Sequence, residues 1–255
     1  MSSDLFDLSG RTALVTGSSR GIGLAISRGL GQAGAQVILN DLDEERLAAA
    51  SESLATEGIV THVCGFDVTD EDAVEAAVAG IESDIAPIDI LVNNVGMQLR
   101  MPLQDFPASD FRKLLETNIT SAFLVGRAVG SRMVNRGAGK IINICSLQSE
   151  LARPSIAPYA ATKGALKMLT FGMCADWAPY GLCVNGIGPG YFVTDLTRPL
   201  RDNAEFDTWL RRRTPAGRWG ELDELVGAAV FLAAPASSFV NGQIIYVDGG
   251  ISAVI

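Results

Sequence analysis

The chain has 255 residues, 48% of them hydrophobic and 19% charged, which suits one large α/β domain over 1–255 with a substantial core. A formal charge of −9 argues against a broad nucleic-acid-binding surface, and Arg211-Arg212-Arg213 is too short a run to reverse that and reads as a solvated helix face. Residues 1–10 show no secretory pattern, no apolar run reaches membrane-spanning length, and four cysteines without CxxC spacing beside a single histidine, His62, offer no zinc set; the expectation is a metal-free protein with reduced thiols in the cytoplasm.

In chain order, residues 11–16 read as a short buried strand, followed by a helical pattern from about 22 to 33 that Gly34 stops. A second strand is expected at 36–40, a helix at 43–57, a third strand at 60–66 and a helix at 70–85. Ile88-Asp89-Ile90-Leu91-Val92 has the continuous apolar character of a strand covered on both faces. Long helices at 109–135 and 159–180 flank a strand at 140–145; another strand falls at 183–187, a helix at 221–232 and a last strand at 243–247. Strands alternating with helices throughout predict a doubly wound parallel sheet, a Rossmann fold of about seven strands in a single domain. The irregular stretch is 190–220, rich in Pro, Arg and Trp, expected as a mobile loop-helix insertion over the site, with Trp209 and Trp219 as its packing residues.

Thr16-Gly17-Ser18-Ser19-Arg20-Gly21-Ile22-Gly23 occupies the first strand-to-helix turn, where glycines let the backbone approach a pyrophosphate and the helix N-terminus supplies unpaired N–H groups. Asp41 ends the second strand, 18 residues after Gly23. A carboxylate there accepts from ribose hydroxyls and repels a 2′-phosphate, which favours NAD over NADP. Arg20 is the counter-signal, a cation able to receive that phosphate. Asp67 and Val68, after the third strand, are candidates for the adenine edge, and Asn93-Asn94-Val95-Gly96 for the cofactor trough.

Tyr159 and Lys163 are four apart on a predicted helix, on one face and one turn from each other. An ammonium beside a phenol stabilises the phenolate, so the pair is an acid/base device without an imidazole, and the expectation is a lowered Tyr159 pKa. Ser146, at the preceding strand end, can hydrogen-bond the oxygen that gains or loses the proton.

Taken together, Thr16 to Gly23, Asn93 to Gly96, Asn118, Ser146 and Tyr159 with Lys163 resemble the motifs of the short-chain dehydrogenase/reductase family, in the family's order and over essentially the whole chain. Val95 stands where the family usually has alanine, a change expected to crowd the trough slightly. The resemblance implies an NAD(P)-dependent oxidoreductase acting on CH–OH donors, with Tyr159 as general acid/base, Lys163 on the nicotinamide ribose, Ser146 on the substrate oxygen and Asn118 holding a relay water. It further implies that Gly17, Ser19, Arg20, Gly21, Ile22, Gly23, Asp41, Asp67, Val68, Asn94 and Gly96 line the cofactor, that Pro189, Gly190, Phe192 and Thr194 cradle the carboxamide, and that the protein is a homotetramer. The helices at 109–135 and 159–180 would pair across one interface, with the last strand near another.

Within the family, the stretch from Asn143 to Pro154, Pro189-Gly190-Tyr191-Phe192 and Thr214 to Gly220 resemble gluconate 5-dehydrogenases, which interconvert D-gluconate and 5-keto-D-gluconate. A polyhydroxylated acid needs polar groups and a cation, and Gln148, Glu150, Arg153 and Arg100 lie near the motifs that should edge the pocket, with Gln148 and Arg153 the substrate candidates beside Ser146 and Tyr159. The alternatives are a 3-oxoacyl thioester reductase, another polyol or secondary alcohol dehydrogenase, and a dinucleotide-binding regulator without turnover. The partner is a small-molecule substrate, with no nucleic acid and no membrane.

Overall fold

Successive residues of a strand point to opposite faces of its sheet, and here both faces are apolar. A computed structural model of the protein describes residues 4–254. Among these residues the strands are β1 (Thr12–Thr16), β2 (Gln36–Asn40), β3 (Thr61–Val63), β4 (Ile90–Asn93), β5 (Gly139–Ile144), β6 (Leu182–Pro189) and β7 (Ile244–Val247). They pair in parallel in the order β3-β2-β1-β4-β5-β6-β7. The helices are α1 (Gly21–Gln32), α2 (Glu44–Thr56), α3 (Glu71–Asp84), α4 (Ala108–Leu115), α5 (Ser121–Arg136), α6 (Ala157–Trp177), α7 (Arg198–Arg201), α8 (Ala204–Arg213) and α9 (Asp223–Ala233).

Val15, Val37, Leu39, Ile90 and Val92 face one way and pack with α1, α2 and α9. Leu14, Ile38 and Leu91, their alternates, pack on the other side with α3, α5 and Met173 of α6. This is the doubly wound Rossmann arrangement expected from the sequence. Strand order reverses between β1 and β4, so the loops leaving their C-terminal ends diverge and open a crevice there.

The expected boundaries change where side chains replace ladder bonds. The third strand is three residues rather than the span 60–66, because beyond Val63 the Asn40 amide takes the carbonyls of Cys64 and Phe66, at 3.2 and 3.0 Å. The strand expected at 88–92 begins at Ile90; the Ile88 N–H is bonded to Glu82 instead. The helix expected at 109–135 is α4 and α5 joined by a wide π turn, Glu116–Thr120. The stretch 190–220 carries α7 and α8, is closed by a bridge between Phe192 and Gly220, and packs Leu210 and Trp219 with Leu147 and Ile251 of the main body in a small apolar cluster. No helix of the described residues is long and apolar enough to cross a membrane.

Candidate active site

The turn between β1 and α1 is shaped by its glycines. Gly17 and Gly21 have φ of 62° and 57°, the left-handed region that disfavours side chains, and a Cβ on Gly23 would lie 2.3 Å from the Gly17 carbonyl oxygen. Asn94 braces the turn from β4, its Nδ2 donating to the carbonyls of Thr16 and Gly17, each at 2.9 Å. Asp43 and Asp70 cap α2 and α3 with their carboxylates, whereas no side chain caps α1. The leading N–H groups of α1 are therefore available to an anion, and the space around Gly21 is open. A pyrophosphate fits this cradle.

From the cradle a cleft of about 1040 Å³ runs in both directions, large enough for a dinucleotide with a small substrate. At one end stand Asp41, Asp67, Val68 and Arg20. Asp41 is held on both oxygens: Oδ2 accepts from Ser19 Oγ at 2.5 Å and Oδ1 from the Leu42 N–H at 2.8 Å. Asp67 closes a turn by accepting from the Thr69 N–H and hydroxyl, at 2.8 and 2.7 Å. The Arg20 guanidinium, largely exposed, lies 3.7 Å from Asp195 of the insertion.

At the other end, α6 presents Tyr159 and Lys163 on one face as their spacing requires, both buried. Lys163 Nζ donates to the Ile144 carbonyl at 2.7 Å, tying α6 to the end of β5. Ser146 Oγ donates to Gln148 Oε1 at 2.9 Å and accepts from the Gln148 N–H at 3.1 Å. Asn118, wholly buried in the π turn, clamps the β4 loop: Oδ1 accepts from the Met97 N–H at 2.8 Å, and Nδ2 donates to the Met97 carbonyl and Thr162 Oγ1, at 3.0 and 2.9 Å. Both amide protons are used, so toward a water Asn118 has acceptor capacity alone.

The expected lowering of the Tyr159 pKa gives way to burial. Desolvation pushes the phenol up to about 12, opposed by the Ser146 hydroxyl and the Arg100 charge, and pushes the Lys163 ammonium down to about 8. The same enclosure penalises both charged forms.

Of the residues singled out from the sequence, Gly17, Arg20, Gly21, Ile22, Asp41, Asp67, Val68, Asn94, Gly96, Ser146, Gln148, Tyr159, Lys163, Pro189, Gly190, Phe192 and Thr194 line the cleft. Ser19 and Gly23 stand behind its wall, one bonded to Asp41 and the other packed on the turn. Val95 lines the cleft and also abuts the glycine turn, its Cγ2 standing 3.1 Å from where a Gly17 Cβ would be. Asn118, Arg100, Arg153 and Glu150 are not lining residues: Asn118 bonds to Met97 and Thr162, Arg153 to Tyr191, and Glu150 to Lys167 and Tyr246. Gln98, Tyr191 and Leu196 line the cleft without having been assigned a role from the sequence; Gln98 lies two residues past the Asn93 to Gly96 motif, and that proximity was its signal. Arg100 donates to Gln98 Oε1 at 2.5 Å and to the Leu196 carbonyl at 3.1 Å, and its Nε is buried without a partner.

A dinucleotide cradle leading to a buried Tyr-Lys pair with an adjacent serine defines a nicotinamide-dependent oxidoreductase acting on a CH–OH donor. The chain belongs to the short-chain dehydrogenase/reductase family. The family model described as enoyl-(acyl carrier protein) reductase matches residues 17–252. The gluconate 5-dehydrogenase of Gluconobacter oxydans (strain 621H) is 57% identical, covering 98% of this chain and 97% of its own length. The 5-keto-D-gluconate 5-reductase of Escherichia coli (strain K12) is 53% identical, covering 97% of each. A gluconate 5-dehydrogenase from Burkholderia cenocepacia J2315, solved in complex with NADP and tartrate, superimposes with a TM-score of 0.98 at 54% identity, covering 100% of each chain.

Proposed function

We propose that this protein interconverts D-gluconate and 5-keto-D-gluconate. The observation that carries the reading is a polar substrate end, with Gln98 and Gln148 lining the cleft and the Arg100 guanidinium bonded to its wall, next to Tyr159 and Ser146. A bound nicotinamide ring supplies the hydride exchange. Tyr159 gives or takes the proton at the substrate oxygen, and Ser146 donates to that same oxygen once its proton leaves Gln148. Lys163, anchored on the Ile144 carbonyl, keeps two further N–H donors for a ribose and supports the phenolate when protonated. Asn118 holds the β4 loop in place and offers an acceptor to a relay water. The Gly17 to Gly23 turn holds the pyrophosphate, and 190–220 covers the substrate as an insertion in one domain spanning 1–255.

The reading is supported by relatives named for gluconate or 5-ketogluconate at 53–57% identity, and by the hydroxy acid tartrate carried by the Burkholderia cenocepacia protein. It is tested by assaying NAD and NADP reduction with gluconate, other sugar acids and neutral polyols, and the reverse reaction with 5-ketogluconate. Turnover confined to neutral polyols overturns it. Arg100, outside the lining but bonded to the lining residues Gln98 and Leu196, joins Arg153 as a candidate cation for the carboxylate. Arg100→Met is expected to raise KM for gluconate about thirtyfold, the worth of a charge-assisted pair, with little change for a neutral polyol. Equal losses would assign Arg100 to support of the loop.

For the cofactor, Asp41 favours NAD, because a 2′-phosphate would meet a carboxylate fixed by Ser19 and the Leu42 N–H. The NADP in the Burkholderia cenocepacia complex sets the competing outcome, with Arg20 leaving Asp195 to receive the phosphate. Asp41→Ala is expected to shift the kcat/KM ratio toward NADP by at least about tenfold, through removal of one like-charge contact. A wild-type preference for NADP would show that Arg20 dominates. The exposed Phe123 and Met168, on α5 and α6, and the half-buried edge strand β7 suit association into a homotetramer, and four unpaired cysteines suit the cytoplasm.

A further inference from the structure

Tyr191 follows the turn at the end of β6 and lines the cleft. Its ring is gripped by two others of the insertion, Phe206 with centroids 5.6 Å apart at 61° and Trp219 at 5.8 Å and 88°, both edge contacts that fix its direction. Its oxygen accepts from Arg153 Nε at 3.1 Å. Arg153 is itself held, donating from Nη1 to the Pro154 carbonyl at 3.2 Å and lying over the Phe206 face at 5.3 Å.

A guanidinium only donates, so the direction of the Arg153–Tyr191 bond is certain and the Tyr191 O–H proton stays free. Among the described residues that proton has no acceptor. A phenol polarised by a cation on its oxygen is a stronger donor, and Arg100, bonded to the cleft residues Gln98 and Leu196, adds a second positive charge to this end of the cleft. Two positive charges around one free O–H select an anionic acceptor.

We propose that the Tyr191 hydroxyl donates a hydrogen bond to the carboxylate of the substrate, and that Arg153 is a positioning residue that orients this hydroxyl without touching the substrate. The proposal rests on the sugar-acid reading above. It explains how Arg153, seven residues after Ser146 and outside the cleft lining, still belongs to the site through Tyr191.

Tyr191→Phe deletes the hydroxyl and keeps the ring cage. With gluconate the variant is expected to show KM raised by at least about tenfold at nearly unchanged kcat, and with the neutral six-carbon alditol little change in KM. Arg153→Met should raise KM for gluconate in the same selective way, Arg153→Lys should recover part of the loss, and the double variant with Tyr191→Phe should be no worse than Tyr191→Phe alone. An unchanged KM for gluconate in Tyr191→Phe, or equal losses with acid and alditol, overturns the role of Tyr191; additive losses in the double variant overturn the role of Arg153. If the wild type turns over another hydroxy acid but no gluconate, the choice of substrate fails separately, and the same KM comparison made with that acid decides the role of Tyr191. Turnover of no acid at all overturns both.

Discussion

Tyr159→Phe is expected to lower kcat by about three orders of magnitude, within the range that a positioned acid/base contributes. The substitution removes one oxygen from a ring that is already buried, leaving α6 and its packing in place. Dinucleotide affinity, followed by the change in nucleotide fluorescence on binding, should stay within about twofold, so that binding and chemistry separate. The burial that pushes the Tyr159 phenol up to about 12 makes this test sharp. At neutral pH the phenol is protonated, the state that the proposed acid role in ketone reduction requires, and the Arg100 charge favours the phenolate that alcohol oxidation would need. Turnover within tenfold of wild type would remove Tyr159 from the reaction.

The fold was legible because strands covered on both faces leave apolar runs, and because Gly17, Gly21 and Gly23 announce a backbone that must pass close to a ligand. The reacting end was legible for a related reason: Tyr159 and Lys163 lie on one helix, where spacing alone fixes their common face. Residues whose roles depend on contacts between distant segments were not. Arg153 lies between two motifs that both enter the cleft, yet its guanidinium goes to Tyr191 and Phe206, partners 38 and more residues away that no local pattern pairs with it. The π turn at Glu116–Thr120 adds one residue to a helix without interrupting the apolar repeat enough to show, although it is what brings Asn118 against Met97 and Thr162. The sign of the Tyr159 shift was missed on the same ground. A Tyr-Lys pair in sequence says which charges meet, whereas desolvation depends on what encloses them, and here β5, the β4 loop and the insertion all contribute.

Lys163→Met is expected to stabilise the fold while destroying the enzyme. Burial lowers the ammonium from its ordinary 10.5 to about 8. In the unfolded chain the group keeps its proton up to about 10.5, so between pH 8 and 10.5 the unfolded state binds more protons than the folded one, and wild-type stability rises with pH across that window. Below it both states are protonated and the penalty for burying the charge is at full size, about 3 kcal/mol. Methionine fills a similar volume without a charge but forfeits the bond to the Ile144 carbonyl, a loss of about 1 kcal/mol. Near neutral pH the variant should therefore be more stable by about 2 kcal/mol, or roughly 4–8 °C in Tm for a chain of this size. The advantage should shrink as pH rises through 8, vanish somewhat below 10.5 where the remaining penalty equals the lost bond, and be reversed by about 1 kcal/mol above 10.5, where the wild type keeps its hydrogen bond and no longer holds a buried charge. Turnover should fall by about three orders of magnitude if Lys163 carries its proposed role of holding the nicotinamide ribose and supporting the phenolate. Melting curves of wild type and variant from neutral to alkaline pH, read beside kcat, test both halves. A variant less stable than wild type near neutral pH, or a Tm difference that does not vary with pH, would mean that Lys163 sits in the fold without a burial penalty and that its tie to Ile144 stabilises β5 against α6 outright.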